Sequence, residues 1–133
     1  MTKIIQTSGT RKKAIARATL RDGSGIIRIN NINLDNYSPQ MLRMKLREPL
    51  LLAKESADKV DIDVFVNGGG ISSQAEAARL AIARAIADHS KGDKVRNIYL
   101  KYDRHLLVAD VRQNEPSKPN DSKPRAKRQK SYR

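Results

Sequence analysis

A strand, a run of three glycines and a long helix follow one another in the middle of the chain, and this unit restricts the fold more than any other feature. Residues 60–66 largely alternate β-branched with acidic side chains, which is the period-two pattern of a half-buried strand. Beyond Gly68, Gly69 and Gly70, apolar side chains recur at intervals of three and four over residues 73–89, which predicts an amphipathic helix. Most of these apolar positions hold alanine, so we expect the helix to pack very close to the element that it covers.

The N-terminal part of the chain predicts further strands. We expect residues 2–7 to form an edge strand that ends at a turn over residues 8–10. Residues 11–22 follow a period of two, and one face of this strand consists of Ala14, Ala16, Ala18 and Leu20. The sequence DGSG at residues 22–25 is typical of a tight turn, and we expect residues 26–30 to return as the second strand of a hairpin.

The remaining segments are mostly helical in pattern. Ser38 and Pro39 indicate a helix start, with serine as the N-cap and proline at the first helical position. We expect Pro49 to interrupt that helix before a second short helical piece. A further helix near residues 93–101 and a strand near residues 105–109 complete the pattern. A hairpin followed by crossing helices predicts an α+β fold of two layers.

The C-terminal segment cannot fold alone. Residues 114–133 carry seven lysines and arginines against two acids and contain three prolines. Their other apolar side chains belong to Ala126 and Tyr132, which bury too little area to offset the entropy of ordering the segment. A cationic, extended segment suits binding along a polyanion, and a purely solubilising tail is the alternative. We expect a folded body over residues 1–113 and an extended basic tail over residues 114–133.

The charge of the whole chain also favours a polyanionic partner. Its net charge of +13 exceeds the magnitude of about 2–8 that keeps a small domain soluble, and its pI is about 10.3. Nucleic acid is favoured over a membrane, because the apolar runs are far shorter than a bilayer span. The absence of cysteine excludes thiolate catalysis, and two histidines are too few for a metal site without several converging carboxylates. We therefore expect no cofactor, no metal, no membrane partner and a cytoplasmic location.

A stripe of cations on the strand of residues 11–22 is the first candidate for RNA binding. Arg11, Lys13, Arg17 and Arg21 fall on the face opposite the alanines. Alternate strand residues lie roughly 6.6–6.8 Å apart, so the stripe forms a linear array that suits a phosphate backbone. The alternative is a solvated strand face, but such a face ordinarily mixes charges and this one has no acid before Asp22.

The glycine run of residues 68–70 is the second candidate. It joins a strand to a helix N-terminus, where backbone N–H groups and the helix dipole favour an anion. A phosphate-loop enzyme or a nucleotide-binding module is one alternative, but no Gly-Lys-Ser/Thr element accompanies the loop and no carboxylate is placed to hold magnesium. A loop that approaches RNA phosphate, or a tight connection with positive φ angles, needs fewer assumptions.

Most other polar and aromatic residues favour structural roles. Asp61 and Asp63 share one strand face and are interpreted as solvated, and His89 as a core or helix-end histidine rather than a ligand. The pattern leaves the role of His105 open. Packing in the core or at its rim is favoured for Tyr37, Tyr99 and Tyr102. Tyr132 has almost no apolar neighbours along the chain, so stacking on a base or a sugar is favoured there.

Four motifs, in order along nearly the whole chain, resemble the small-subunit ribosomal protein nine family. They are GTRKKAIARA at residues 9–18, GGGISSQA at residues 68–75, YDR at residues 102–104 and the arginine-rich terminus. The ending KSYR is similar to archaeal and eukaryotic cytoplasmic members. The resemblance implies a structural, non-catalytic protein whose two-layer body is shared with the second domain of small-subunit ribosomal protein five. It also implies that the body binds ribosomal RNA and neighbouring proteins in the small-subunit head, with the tail directed toward the peptidyl-site tRNA during translation.

The candidate residues follow from the charge pattern and the resemblance together. The ribosomal-RNA candidates are Arg11, Lys12, Lys13, Arg17, Arg21, Gly68, Gly69, Gly70, Lys118, Lys123, Arg125, Lys127 and Arg128. The resemblance implies that Lys130 and Arg133 approach the anticodon stem-loop of the tRNA, and Tyr132 joins them as a stacking residue. The alternative function is a small phosphate-loop enzyme or nucleotide-binding module that uses residues 68–73.

Overall fold

One mixed sheet of five strands carries the helices on a single face. The computed structural model describes residues 3–132, and its strands are β1 (Ile5–Arg11), β2 (Ala14–Asp22), β3 (Ile27–Ile29), β4 (Ile32–Asn33) and β5 (Val60–Asn67). Across the sheet their order is β1-β2-β5-β3-β4; β3 runs parallel to β5 and the other neighbours are antiparallel. The helices are α1 (Gln40–Leu52), α2 (Lys54–Ala57), α3 (Ile71–His89) and α4 (Lys94–Tyr102), with 3₁₀ turns at Leu34–Asn36 and Arg104–Leu106. The predicted α+β class is confirmed.

The core lies between the sheet and α3. Alternate residues of β2, β3 and β5 point toward the helices and are buried, including the predicted alanine face of β2. From α3 the core takes mainly alanines, together with Ile82 and Ile86. Burial of this apolar area is the main favourable term in folding, and the small side chains allow the two layers to approach closely.

The closest contact between the layers occurs at Gly9, in the middle of β1. A Cβ atom built on Gly9 would lie 2.3 Å from the carbonyl oxygen of Ala77 and 2.8 Å from the backbone nitrogen of Ala81. No side chain therefore fits between this part of β1 and α3. One turn of α3 is also tied to the strand by a hydrogen bond, since the Thr7 hydroxyl donates to the carbonyl oxygen of Ala81 at 2.8 Å.

This contact explains why the predicted turn at residues 8–10 is wrong. Gly9 is a glycine because α3 passes over it, not because the chain reverses there, and β1 continues to Arg11. The reversal occurs instead at Lys12 and Lys13, where Lys12 adopts a positive φ of 53°. The first hairpin of the protein is therefore β1–β2.

The predicted hairpin between residues 11–22 and 26–30 is also wrong, because β5 lies between β2 and β3. The Asp61 carboxylate on β5 fixes the intervening loop, since its Oδ1 accepts the backbone N–H groups of Ser24 and Ile26, each at 2.9 Å. These hydrogen bonds lower the pKa of Asp61 below its ordinary value. Asp61 thus holds a loop rather than lying free on a solvated face, and a local turn motif could not reveal which strand β3 pairs with.

Pro49 does not interrupt its helix. α1 runs unbroken to Leu52 with Pro49 buried inside it, and the N-cap is Pro39 rather than Ser38. The carbonyl oxygen of Pro49 accepts the Ala53 N–H at 3.2 Å and the hydroxyl of the buried Tyr99 at 2.8 Å. Packing against α4 therefore holds the helical path where proline alone would favour a break.

The strand that was expected near residues 105–109 does not form. Residues 105–109 lie in and after a 3₁₀ turn, and the chain then makes an isolated parallel bridge between Arg11 and Asp110. From residue 111 to residue 132 the chain forms neither helix nor strand. Within residues 3–132, the helices all fall short of the length and apolarity that crossing a membrane requires.

The substitution Gly9→Ser should destabilise the protein, because the new Cβ would collide with the backbone of α3. Overpacking of this kind costs about 1–3 kcal/mol, and thermal unfolding followed by circular dichroism measures the loss. The matched control is Gly70→Ser, since nothing lies within 4 Å of a Cβ at Gly70 and serine is a favoured N-cap. Equal melting temperatures for the two variants would contradict the close contact between β1 and α3.

Candidate nucleic-acid interface

The structure brings the Lys12–Lys13 turn and the glycine loop into direct contact. Gly68 and Gly69 have φ angles of +76° and +63°, which residues other than glycine rarely adopt. A Cβ on Gly68 would also lie 2.5 Å from the carbonyl oxygen of Lys13, so the loop backbone rests on the β1–β2 turn. The fold therefore needs these two glycines for the tight connection, whether or not the loop also meets a phosphate.

This corner combines three sources of positive potential. The side chains of Lys12 and Lys13 are exposed, and α3 begins at Ile71, directly after the glycine loop, without a side-chain cap on the N–H groups of its first turn. The Gln74 side chain donates to the carbonyl oxygen of Gly68 at 3.1 Å and so fixes the loop. Helix N-termini and lysines both attract phosphate oxygens. We call Lys12, Lys13 and residues 68–70 the cationic corner.

Arg17 and Arg21 lie on the sheet face that no helix covers. Both side chains are exposed, as predicted, and within residues 3–132 neither makes an ion pair or a hydrogen bond. Their strand neighbours differ: across β5, Arg17 faces Phe65 while Arg21 faces Asp61. Arg17 is therefore the more available of the two for a phosphate.

The predicted position of Arg11 on the exposed stripe is wrong. Arg11 ends β1 and its side chain points to the helix side, where only 14% of it is exposed. Its Nε donates to Glu76 at 2.8 Å, its Nη2 lies 3.8 Å from Asp110, and its Nη1 donates to the carbonyl oxygen of Arg112 at 3.3 Å. The period of two does not continue across the turn at residues 12–13, so Arg11 on β1 lies on the face opposite to the one that the period predicts.

Arg11 belongs to a network of ion pairs that the sequence pattern did not reveal. Glu76 also accepts from Lys45 at 3.3 Å, and Arg79 joins Glu48 of α1 to Asp103 beyond α4. Burial alone would raise the pKa of Glu76, but the hydrogen bonds from Arg11 and Lys45 outweigh it and the pKa is lowered. The network consists of residues distant in sequence, so it joins the helices to the segment that leads into the tail.

The tail begins beside the cationic corner. The Gln113 side chain donates to the carbonyl oxygen of Lys12 at 3.3 Å, and Arg112 pairs with Asp110, which holds the pKa of Asp110 well below its ordinary range. Further along, the guanidinium of Arg125 pairs with Glu115 at the exposed surface, an interaction worth little in water. The other candidate cations of the tail are exposed, namely Lys118, Lys123, Lys127, Arg128 and Lys130. Tyr132 is 87% exposed, and Arg133 lies outside the described residues.

The histidines and the remaining tyrosines of the body differ in burial and in their contacts. His89 ends α3 with its Nε2 3.3 Å from Asp22, as expected for a helix-end histidine, and the Nδ1 of His105 lies 3.3 Å from the carbonyl oxygen of Val108. Tyr99 is fully buried and Tyr37 is half-buried, whereas Tyr102 is exposed. Within residues 3–132, no group of three or more histidine, aspartate or glutamate side chains could hold a metal ion.

Two apolar residues lie exposed on the open sheet face and were not predicted as site residues. Phe65 is 60% exposed on β5, and Ile15 is 43% exposed on the neighbouring strand β2. The exposure of Phe65 could be predicted from the alternation of β5. Phe65 is two and four positions from Asp63 and Asp61, so the three side chains share one face of the strand.

Comparisons with known proteins agree with the resemblance noted from the motifs. Residues 9–133 match the family described as ribosomal protein S9/S16. Among similar curated proteins are the small ribosomal subunit proteins uS9 of Methanococcus maripaludis strains C7 and C5. Each is 49% identical over 133 residues, an alignment that covers 98% of this chain and 99% of the relative.

Arg17→Ala and Arg11→Ala form a matched pair, since each removes one cation. Arg17→Ala should change stability by less than about 0.5 kcal/mol and should reduce the salt slope of RNA binding by roughly 0.7–0.9, the effect of one lost phosphate contact. Arg11→Ala should lower the melting temperature instead, because it removes hydrogen bonds to Glu76 and to the Arg112 carbonyl oxygen. Thermal unfolding and RNA titrations at several salt concentrations measure both effects. A stable Arg11→Ala protein beside an unfolded Arg17→Ala protein would invert the assignment of faces.

Proposed function

This chain belongs to the ribosomal protein S9/S16 family, and we propose that it is a structural constituent of the small ribosomal subunit that binds ribosomal RNA in the subunit head. The family consists of structural ribosomal proteins and not enzymes, so the glycine loop is not the phosphate loop of a catalyst. The relatives are named as proteins of the small ribosomal subunit, which supports the same assembly for this chain. The ribosome also accounts for the cytoplasmic location expected from the sequence.

The cationic corner is the observation that carries the RNA-binding proposal. Two exposed lysines lie where the glycine loop and the start of α3 present backbone N–H groups, and Arg17 extends the positive surface onto the open sheet face. Lysine and arginine that neutralise phosphates release counterions, which contributes a large share of the affinity for nucleic acid. We infer that Lys12, Lys13, Arg17 and the loop of residues 68–70 contact ribosomal RNA. Arg21 has a smaller part because Asp61 is its strand neighbour, and Arg11 acts within the protein.

The body is proposed to have the architecture of the second domain of small-subunit ribosomal protein five. A mixed sheet with helices on one face supports this likeness. Such a body has one covered and one open sheet face, so RNA and neighbouring proteins of the head can be bound on different sides of the same domain.

The tail is proposed to pass through ribosomal RNA toward the peptidyl-site tRNA, and to be disordered away from the ribosome. Its lack of helix and strand up to residue 132 and its exposed cations support this role. Lys118, Lys123, Arg125, Lys127 and Arg128 are proposed to bind ribosomal RNA. Lys130, Tyr132 and Arg133 are proposed to approach the tRNA, with Tyr132 as a stacking side chain.

Purified protein should join small subunits that lack it and should remain bound through sedimentation at low salt but less so at high salt. The reason is that phosphate contacts weaken steeply as counterions accumulate. Replacing Lys12 and Lys13 by alanine should increase the loss at intermediate salt, while the control Lys91→Ala, on an exposed loop far along the chain, should not. Binding that is absent at every salt concentration would refute the assignment to the small subunit.

Deleting residues 130–133 should raise the rate at which tRNA leaves the peptidyl site without preventing subunit assembly. The deleted residues contribute nothing to the described core, and each charge-assisted contact contributes at most about 1.5–3 kcal/mol. The control is the double variant Lys118→Ala with Lys123→Ala, which also removes two cations but leaves residues 130–133 in place. Dissociation of bound tRNA from purified mutant subunits is the measurement, and an unchanged rate for the deletion would leave the tail with a ribosomal-RNA role alone.

A further inference from the structure

The open face of the sheet carries an aromatic side chain where a solvated face would carry a polar one. Phe65 is the chain's single phenylalanine and lies on β5, the middle strand of the five. Phe65 is 60% exposed, which is unfavourable by the hydrophobic effect, and the helices pack against the opposite face. Ile15 on β2, 43% exposed, widens the apolar surface only slightly.

Polar and cationic groups surround Phe65 on this face. Directly across from it on β2 is Arg17, and across from Arg17 on β1 is Ser8. Two shallow grooves flank the ring and share Arg17 as a wall: one continues to Asn67 and Asn30, the other to Gln6 and Thr19. Side chains opposite each other on antiparallel strands have Cβ atoms about 4.5–5.5 Å apart, so the Arg17 guanidinium can reach a group that lies on the Phe65 ring.

The acidic residues of this face have other partners. Asp61 accepts the N–H groups of the loop between β2 and β3, and Asp63 lies 3.8 Å from Arg28 of β3. The end of the face near the β1–β2 turn therefore has Arg17 without a carboxylate among its strand residues. An anionic partner is favoured at this end of the sheet.

We propose, on the premise of the ribosomal-RNA binding proposed above, that this face binds an unpaired nucleotide whose base stacks on Phe65 while Arg17 contacts its phosphate. Aromatic side chains on open sheet faces stack on splayed bases, and a nearby arginine supplies the charge contact. Asn67, Ser8 and Thr19 offer hydrogen-bonding groups to the edge of the base. A protein partner fits less well, because two apolar side chains amid polar ones do not form the apolar centre that protein interfaces use.

The full-length protein can be titrated with short single-stranded oligouridylate and with an RNA duplex of equal length. Phe65→Ala should weaken binding to the single strand by roughly 5- to 150-fold, the range that corresponds to about 1–3 kcal/mol for one stacked base. Phe65→Tyr should retain most of the affinity. The salt slope should be unchanged in Phe65→Ala, since no phosphate contact is lost, whereas Arg17→Ala should reduce it. Thermal unfolding should be the same for both Phe65 variants because the ring lies outside the core.

A fluorescence experiment tests the contact directly. The chain contains no tryptophan, so the Phe65→Trp variant carries a single reporter on the open face. Single-stranded RNA should quench the indole fluorescence of this variant. The matched control is Leu51→Trp, at an exposed position of α1 on the helix side, and its fluorescence should respond much less.

The outcomes of these experiments separate the stacking site from the proposed function. Equal binding by wild type and Phe65→Ala, with no quenching in Phe65→Trp, would overturn the stacking site and leave the proposed function intact. Failure of wild type to bind any RNA would overturn both. If the fluorescence of Phe65→Trp responded to another head protein and not to RNA, the face would be a protein-docking surface and the proposal would also be overturned.

Discussion

The contact of α3 with β1 at Gly9 is the constraint on which the rest of the structure depends. Alanines along one face of α3 bring its backbone so close to the sheet that β1 has no room for a side chain at that point. The length of β1 then places the reversal of the chain at Lys12 and Lys13. Residues 68–70 follow β5, and their backbone lies against this reversal. A close-packed layer of small side chains thus determines where the exposed lysines and the start of α3 meet, since a bulkier interface would separate them.

Charge is divided between two sides of the molecule. Ion pairs within the protein lie where the helices meet the segment that leads to the tail, and they join Arg11 to Glu76 and Arg79 to Asp103. The exposed cations at the β1–β2 turn and on the open sheet face are not compensated in this way within the described residues. Net charge alone could not distinguish these roles, since an arginine that joins two elements and an arginine that binds phosphate contribute equally to a total of +13.

The sequence predicted local patterns well and non-local pairing poorly. The buried face of β2, the strand of residues 60–66 and the long helix followed from periodicity, because burial on one face requires it. The partner of β3 and the continuity of α1 through Pro49 could not follow, because they depend on Asp61 and Tyr99, which lie far along the chain. The prediction for Arg11 is wrong for a related reason: a period of two holds only within one strand, and Gly9 lies inside β1 rather than at a turn. Lys12, Lys13 and the glycine loop were recognised as separate candidates, and only the fold shows that they adjoin.

The anchoring of residues 110–113 has a consequence for how the two parts of the chain act together. The bridge from Arg11 to Asp110 and the hydrogen bond from Gln113 to Lys12 fix the point where the tail leaves the body. In the proposed role, the tail of a bound body searches only the volume that its own length allows from that fixed origin. Its effective concentration at nearby RNA would then be far higher than in free solution, of the order of millimolar for a short flexible tether. Loosening the anchor would lower this avidity although every cation remained in the chain.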